Sequence, residues 1–450
     1  MQPWALQLAD RFLHHILTPS YSKELAEPCK GHVNTLQNVA QSIVDSCPRP
    51  RSSDELDPII EQAYVSLVAS SSSTADPFQW RRLYSDASVL RCLVDLTSQA
   101  LDEESAMSCV ARLDHALIVA GAPGQGMQSL IRDLISKTQA EYLPREPFKY
   151  PPKLPVRPNR SPSAPHTPIL STSSGTIPRL VDAPPLSVFR REVMIRPFIM
   201  TGFASDWPAM NDHPWHSIDY LRSVAGRGRV IPVEIGKDYR TDDWTQRIMP
   251  WDDFLDSLEK DTTHSQTILY MAQHNLLSQF CGLREDIVVP DYVFTAPQAP
   301  ATYPLYRPPD NEEELALNAW LGPTGTTSPA HTDPFFNLYT QVVGRKTIWL
   351  APPKAGVTNA MYPYPPPSVG CDTEHIHNPA ANSLAPSMTN TAQVDVFSDQ
   401  NKDKFPLFWQ DAVPEALSAT LEPGDALAIP PGWWHAMRSE ETSFSLSIWF

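Results

Sequence analysis

Apolar residues in this chain change their spacing once, and a proline-dense stretch marks the change. Up to about residue 143 they recur three and four apart, in "WALQLADRFLHHIL", "HVNTLQNVAQSIVDSC", "ELDPIIEQAYVSLVAS", "FQWRRLYSDASVLRCLVDLTSQAL" and "ESAMSCVARLDHALIVAG". That spacing gathers one apolar stripe along a helix. Turn-forming clusters at 48–54, 71–77 and 121–126 separate the runs. Asp54 and Ser105 are expected N-caps and Gly121 an expected stop. No strict repeat period links the helices. From 144 to 168 the chain reads "PREPFKYPPKLPVRPNRSPSAPHTP". Proline lacks the amide donor and fixes φ, so this is expected to be an extended linker, 144–180. Its Lys153, Arg157 and Arg160 read as charges on a solvated spacer.

Beyond the linker the runs are short and rich in β-branched and aromatic residues: "VMIRPFIMTG", "RVIPVEIG", "TILYMAQ", "LALNAWLG", "FNLYTQVVG", "KTIWLAP", "DALAIP" and "FSLSIWF". In the last of these Phe444, Leu446 and Ile448 alternate with Ser445 and Ser447, a strand with two unlike faces. "VVGRKT" reads as a tight hairpin with Gly344 at positive φ. The expected fold is α+β: a helical domain over 1–143, then a barrel-like double sheet over 181–450. The Pro- and Asn-rich stretch 355–412 is expected to be an insertion over one mouth of the barrel.

Formal charge is −16, from 35 Lys+Arg against 51 Asp+Glu. A broad electrostatic grip on nucleic acid or an anionic membrane is therefore not expected, whereas a basic protein partner is suited. The six cysteines form no C-x-x-C, so neither a zinc ribbon nor a redox pair is indicated. "MQPWALQLADRFLHH" lacks a basic lead, and no apolar run reaches the ~20 residues of a membrane helix, so no secretory or membrane segment is expected.

The chemistry concentrates in "SPAHTDPFFN", residues 328–337. On a strand, His331 and Asp333 share a face, and a metal site needs at least one more ligand. His435, in "IPPGWWHAMRS" just before the terminal strand, supplies an imidazole. Two histidines and one carboxylate on one face of a metal form the facial triad of non-haem Fe(II) oxygenases. Two other pairs compete for zinc, His375 with His377 and His213 with His216, both in irregular sequence. Lys346 opens the strand after Gly344. A lysine aimed into a barrel is costly unless it meets an anion, and a dicarboxylic cosubstrate chelating the metal at its other end would provide one. Tyr270, Ser328 and Asn337 are polar groups on neighbouring runs, Arg345 should face outward, and Arg438 is the alternative anchor.

With these residues in place, 185–450 resembles the jumonji-C 2-oxoglutarate oxygenases. The match runs in order through "RPFIMTGFASDWPA", "IPVEIGKDYRTDDWTQ", "ILYMAQHNLLSQF", "NAWLGPTGTTSPAHTDPFFNLYTQVVGRKTIWL", "NTAQVDV" and "LEPGDALAIPPGWWHAMRSEETSFSLSIWF". The helical half resembles a member assigned to protein arginyl hydroxylation, at "WRRLYSDASVLRCLVDL" and "LDHALIVAGA". The resemblance implies that His331, Asp333 and His435 bind Fe(II) and that Tyr270, Ser328, Asn337 and Lys346 bind 2-oxoglutarate, with O2 as co-oxidant. It also implies that Glu234 and Trp320 line a substrate pocket able to hold a guanidinium. The expected activity is oxygenation of a protein side chain, with a basic ribosomal, histone or chromatin-associated substrate and a nuclear or cytoplasmic location. Lysine demethylation, RNA-base hydroxylation and an inactive binding module are the alternatives. Phe335 and Phe336 replace polar residues of the resembled pattern and are expected near the substrate entrance.

Overall fold

A computed structural model describes residues 3–25, 27–45, 55–70, 77–96, 101–149, 169–193, 195–241, 243–259, 268–365, 388–400 and 402–450. The proline-dense stretch from 150 to 168 and the His375/His377 pair lie outside them.

The N-terminal part is helical throughout. Its longer helices are Pro3–Leu17, Val33–Val44, Asp57–Ser70, Phe78–Leu96, Glu103–Ala120 and Met127–Tyr142. They share one apolar core built from the three- and four-spaced residues, such as Leu13, Leu36, Leu90, Leu113 and Leu134. The helix from Glu103 is capped by Asp102, not by Ser105: the Asp102 side chain accepts from the Ser105 N–H. Ser105 was the expected cap, but the carboxylate three residues earlier satisfies that amide. Gly121 ends this helix at φ +70°.

The C-terminal part holds strands β1 (Gly175–Thr176), β2 (Arg179–Leu180), β3 (Phe198–Met200), β4 (Val230–Ile235), β5 (Thr245–Pro250), β6 (Leu269–His274) and β7 (Ala316–Gly322). These are followed by β8 (Thr327–Thr332), β9 (Asn337–Val343), β10 (Lys346–Ala351), β11 (Leu417–Leu421), β12 (Ala426–Ile429), β13 (Trp434–Ser439) and β14 (Ser443–Trp449). They form two sheets, in the orders β1-β11-β10-β13-β8 and β2-β3-β12-β9-β14-β7-β6-β4-β5. Strands β7 to β14 divide four to each sheet, which makes a double-stranded β-helix. Ile348 and Leu350 from one sheet meet Tyr339, Leu427 and Ile429 from the other, and this is the interior.

Residues 175–180, expected in the linker, pair into the two sheets as β1 and β2, and two further details differ from the sequence expectation. β9 and β10 lie in different sheets, so "VVGRKT" is a corner between layers rather than a hairpin. Gly344 does take φ +67°, and a Cβ there would collide with the Thr442 carbonyl oxygen. Secondly, the described flanks of 355–412 build a core of their own. Val357, Met361, Val394, Val396 and Phe408 pack with Trp349 and Trp434, the residues of β10 and β13 that point away from the interior. No helix among the described residues is long and apolar enough to cross a membrane.

Candidate metal and cosubstrate site

β8 and β13 are antiparallel neighbours, and His331 and His435 are direct cross-strand partners. Their rings stand 4.2 Å apart between centroids. Asp333 lies just past the end of β8, on the turn rather than on the strand, where its backbone oxygen accepts from the Gly432 N–H at 2.8 Å. Its carboxylate reaches His331 Nε2 at 3.8 Å and His435 Nε2 at 3.4 Å. Each Nδ1 faces a backbone carbonyl, Pro329 O at 2.8 Å and Trp433 O at 3.0 Å. A carbonyl only accepts, so Nδ1 carries the hydrogen, and each Nε2 turns inward, where the neutral ring offers a lone pair. These three residues are the only group of metal-ligand type among the described residues. His213 instead turns its Nδ1 to Asp286.

Burial, reinforced by His435, holds the His331 pKa down at about 4. Burial also opposes charge on His435, but the hydrogen bond and charge of Asp333 outweigh it and raise its pKa. For Asp333 burial is outweighed by the two histidines, which keep the carboxyl below its usual range. Neutral imidazole at His331 and ionised carboxylate at Asp333 are the protonation states a cation requires.

Below this rim, β10 alternates. Lys346, Ile348 and Leu350 point inward, and Lys346 is 1% exposed. Its Nζ donates to Tyr270 Oη at 3.1 Å and to Tyr339 Oη at 3.0 Å. No carboxylate pairs with it among the described residues, and burial lowers its pKa to about 7. Burial drives the Tyr270 pKa well up, with Ser328 beside its hydroxyl, so the phenol stays neutral. Asn337 Oδ1 is buried without a partner, as is the indole N–H of Trp449, its register neighbour on β14. Buried polar atoms are rarely left alone. An orphaned acceptor on one sheet and an anion-seeking ammonium on the other, both turned into the interior, fit a polar, acidic ligand. Trp320, Ser328, His331, Asp333, Asn337, Tyr339, His435, Met437 and Ser447 line the cleft that joins rim and floor.

Tyr339 and Ser447 were not singled out from sequence, although the period-two spacing Asn337–Tyr339 and Ser445–Ser447 marks both. The serine face of β14 turns into the cavity rather than to solvent: Ser447 Oγ accepts from Trp320 Nε1 at 3.1 Å, and Ser445 Oγ donates to Gln341 at 2.8 Å. Arg438 is no alternative anchor, because it pairs in register with outward Thr347 and binds Glu440. Arg345 reaches Glu441 on the surface. Phe336 is fully buried against Tyr306 and Phe450, so it is core rather than entrance; Phe335 lies against Trp449.

Glu234 sits opposite Tyr270 and Gln246 on neighbouring strands, on the face that carries the Tyr270 side chain. It is half-buried and has no cationic partner among the described residues. Burial raises its pKa, offset in part by Trp244 and Gln246 beside it. Trp320 is half-buried and tilts against Tyr270, with centroids 6.2 Å apart.

Residues 186–450 match the family model described as "Cupin-like domain". Over 385 residues the chain is 33% identical to a "Lysine-specific demethylase 8" of Danio rerio, covering 83% of this chain and 81% of that protein. It is 36% identical over 283 residues to a "Jumonji C domain-containing protein 5" of Drosophila melanogaster, covering 62% of this chain and 61% of that one. It is 25% identical over 275 residues to a "Bifunctional peptidase and (3S)-lysyl hydroxylase JMJD7" of Homo sapiens, covering 57% of this chain and 77% of that one. The chain belongs to the cupin-like JmjC family, and it is an Fe(II)- and 2-oxoglutarate-dependent dioxygenase.

Proposed function

We propose that this protein hydroxylates a side chain of a basic protein substrate and that the side chain is arginine. His331, Asp333 and His435 would hold Fe(II) through two imidazole nitrogens and one carboxylate oxygen. Lys346 and Tyr270 would hold the far carboxylate of 2-oxoglutarate, with Ser328 and Asn337 completing its polar wall. When bound, metal and cosubstrate supply the oxidising power, coupling decarboxylation of 2-oxoglutarate to succinate with insertion of one oxygen atom of O2 into a C–H bond. The chain's own part is positioning. Two backbone carbonyls fix the imidazoles. The Tyr270–Tyr339 pair aims the ammonium, and the buried interior excludes water from the reacting carbon.

One observation carries the choice of arginine: the Glu234 carboxylate, half-buried beside Tyr270, lacks any cation of its own among the described residues. A guanidinium offers a planar fork of donors to such a carboxylate and a flat face to Trp320, while an ammonium offers neither. The net charge of −16 favours a basic partner of ribosomal, histone or chromatin type, in nucleus or cytoplasm. The test uses paired peptides that differ only by Arg or Lys at the target position. Oxygen gained by the Arg peptide alone, and lost with Glu234→Ala, is the expected result. Methyl loss from a methyl-lysine peptide at comparable efficiency would replace this reading with demethylation, the activity in the name of the Danio rerio relative.

A further inference from the structure

The strand that carries Glu234 is rooted in the helical half. Asp114, on the helix Glu103–Ala120, is fully buried, and Arg229, just before β4, is 7% exposed. The two form a bidentate pair, Arg229 Nε to Asp114 Oδ2 and Nη2 to Oδ1, both at 2.8 Å. The same carboxylate accepts the backbone N–H of Val230, the first residue of β4, at 3.0 Å. The far side is closed by Gln279. Its Nε2 donates to Val230 O, and its backbone carbonyl accepts from Arg229 Nη2, each at 2.8 Å. The guanidinium also lies 4.5 Å from the Phe280 ring centroid. Gly228, at φ +81°, makes the approach possible, since a Cβ there would come within 3.2 Å of Met107 Cα.

We infer that Asp114 is a positioning residue for the substrate site: by clamping the first peptide of β4 it fixes Glu234, four residues along the same strand. This rests on the reading of Glu234 above. The helical half is then a brace for substrate recognition rather than a separate docking module. Other contacts between the halves, such as Arg132 to Ser278 Oγ at 2.7 Å, hold the two together without touching β4.

Full-length protein tests this with Asp114→Asn and with the double variant Asp114→Ala/Arg229→Met. The double variant removes both charges and leaves neither buried alone, which proteins often tolerate. Arg132→Ala is the control. The readouts are hydrogen exchange over 230–235, peptide KM, succinate formed per hydroxylated peptide, and the 2-oxoglutarate KM. Both Asp114 variants should exchange about tenfold faster over 230–235 and show a peptide KM raised by about ten- to a hundredfold. Succinate per product should rise, with unchanged exchange over 327–332 and 434–439 and an unchanged 2-oxoglutarate KM. Rescue by Asp114→Glu is expected in part. Unchanged exchange over 230–235, equal effects in Arg132→Ala, or loss of the whole fold in the double variant would overturn the inference. The exchange result stands even if the wild type fails on arginine peptides, so a wrong substrate and a wrong brace are told apart.

Discussion

Two regions of the molecule, the helical core and the barrel interior, bury charge and treat it differently. In the helical half Asp86 is fully buried and is met by Tyr21 Oη at 2.7 Å and Arg82 Nε at 2.9 Å. Asp114 is matched by Arg229 just as closely. In the barrel, Lys346 is as deeply buried but has only two phenol hydroxyls for company. Desolvating an ion is tolerated when an opposite charge compensates. Where the fold supplies that charge, the group is architecture. Where it does not, the missing charge is expected from a ligand. The distinction does not depend on burial, since buried charges occur in both halves, but on whether the chain completes its own pairs.

The sharpest test of that contrast lies at the rim. His331→Ala or Asp333→Ala should abolish succinate formation in the presence of Fe(II) while far-UV circular dichroism stays unchanged, because each removes a ligand and no core volume. His435→Ala should retain some metal binding without turnover. Wild-type rates in the first two variants would remove the triad from the site. Next in size is Lys346→Ala. A charge-assisted bond to a carboxylate contributes about 1.5–3 kcal/mol, so the 2-oxoglutarate requirement should rise by roughly 10- to 150-fold. An unchanged requirement would place the anion elsewhere.

The same lysine makes a prediction about protons. Its pKa in the folded protein is about 7 against an ordinary value of 10.5. Between those two values the unfolded chain binds more protons, so this group makes stability rise with pH through that window. A bound carboxylate favours the ammonium, so binding 2-oxoglutarate at pH 8 with Mn(II) should take up close to one proton. Titration calorimetry in buffers of different ionisation enthalpy measures it. No uptake in the wild type, or equal uptake in Lys346→Ala, would break the contrast. The smallest effect on activity belongs to the paired side of the comparison. Asp86→Asn should lower the apparent melting temperature, since a buried charge loses its partner, at a cost of about 1–3 kcal/mol. It should leave the 2-oxoglutarate KM as it was. A shifted KM would mean that Asp86 is coupled to the site.

Much of this architecture can be read from spacing. The three- and four-residue period of Val33, Leu36, Ala40 and Ile43 is the buried face of a helix, and the twofold period of Lys346, Ile348 and Leu350 is the inward face of a strand. Periodicity works because side-chain direction follows locally from φ and ψ. Direction alone does not say what lies opposite. "VVGRKT" carries the glycine of a hairpin, but β10 crosses to the second sheet because its partners are β11 and β13. The serines of β14 have the alternation of a solvated face, yet they line a cavity because the other sheet closes over them.

By itself the sequence determined the division into helical and β-rich parts, and it pointed to the His331–Asp333–His435 set and the inward lysine. The division follows from local periodicity, and the set from a shared strand face together with the resemblance to the oxygenase family. Only the tertiary structure decided that Asp333 acts from a turn, that Tyr339 shares Lys346 with Tyr270, and that Asp114 meets the peptide of Val230 across 116 positions. Such contacts depend on how sheets and helices close on one another, a global property that no local pattern of side chains encodes.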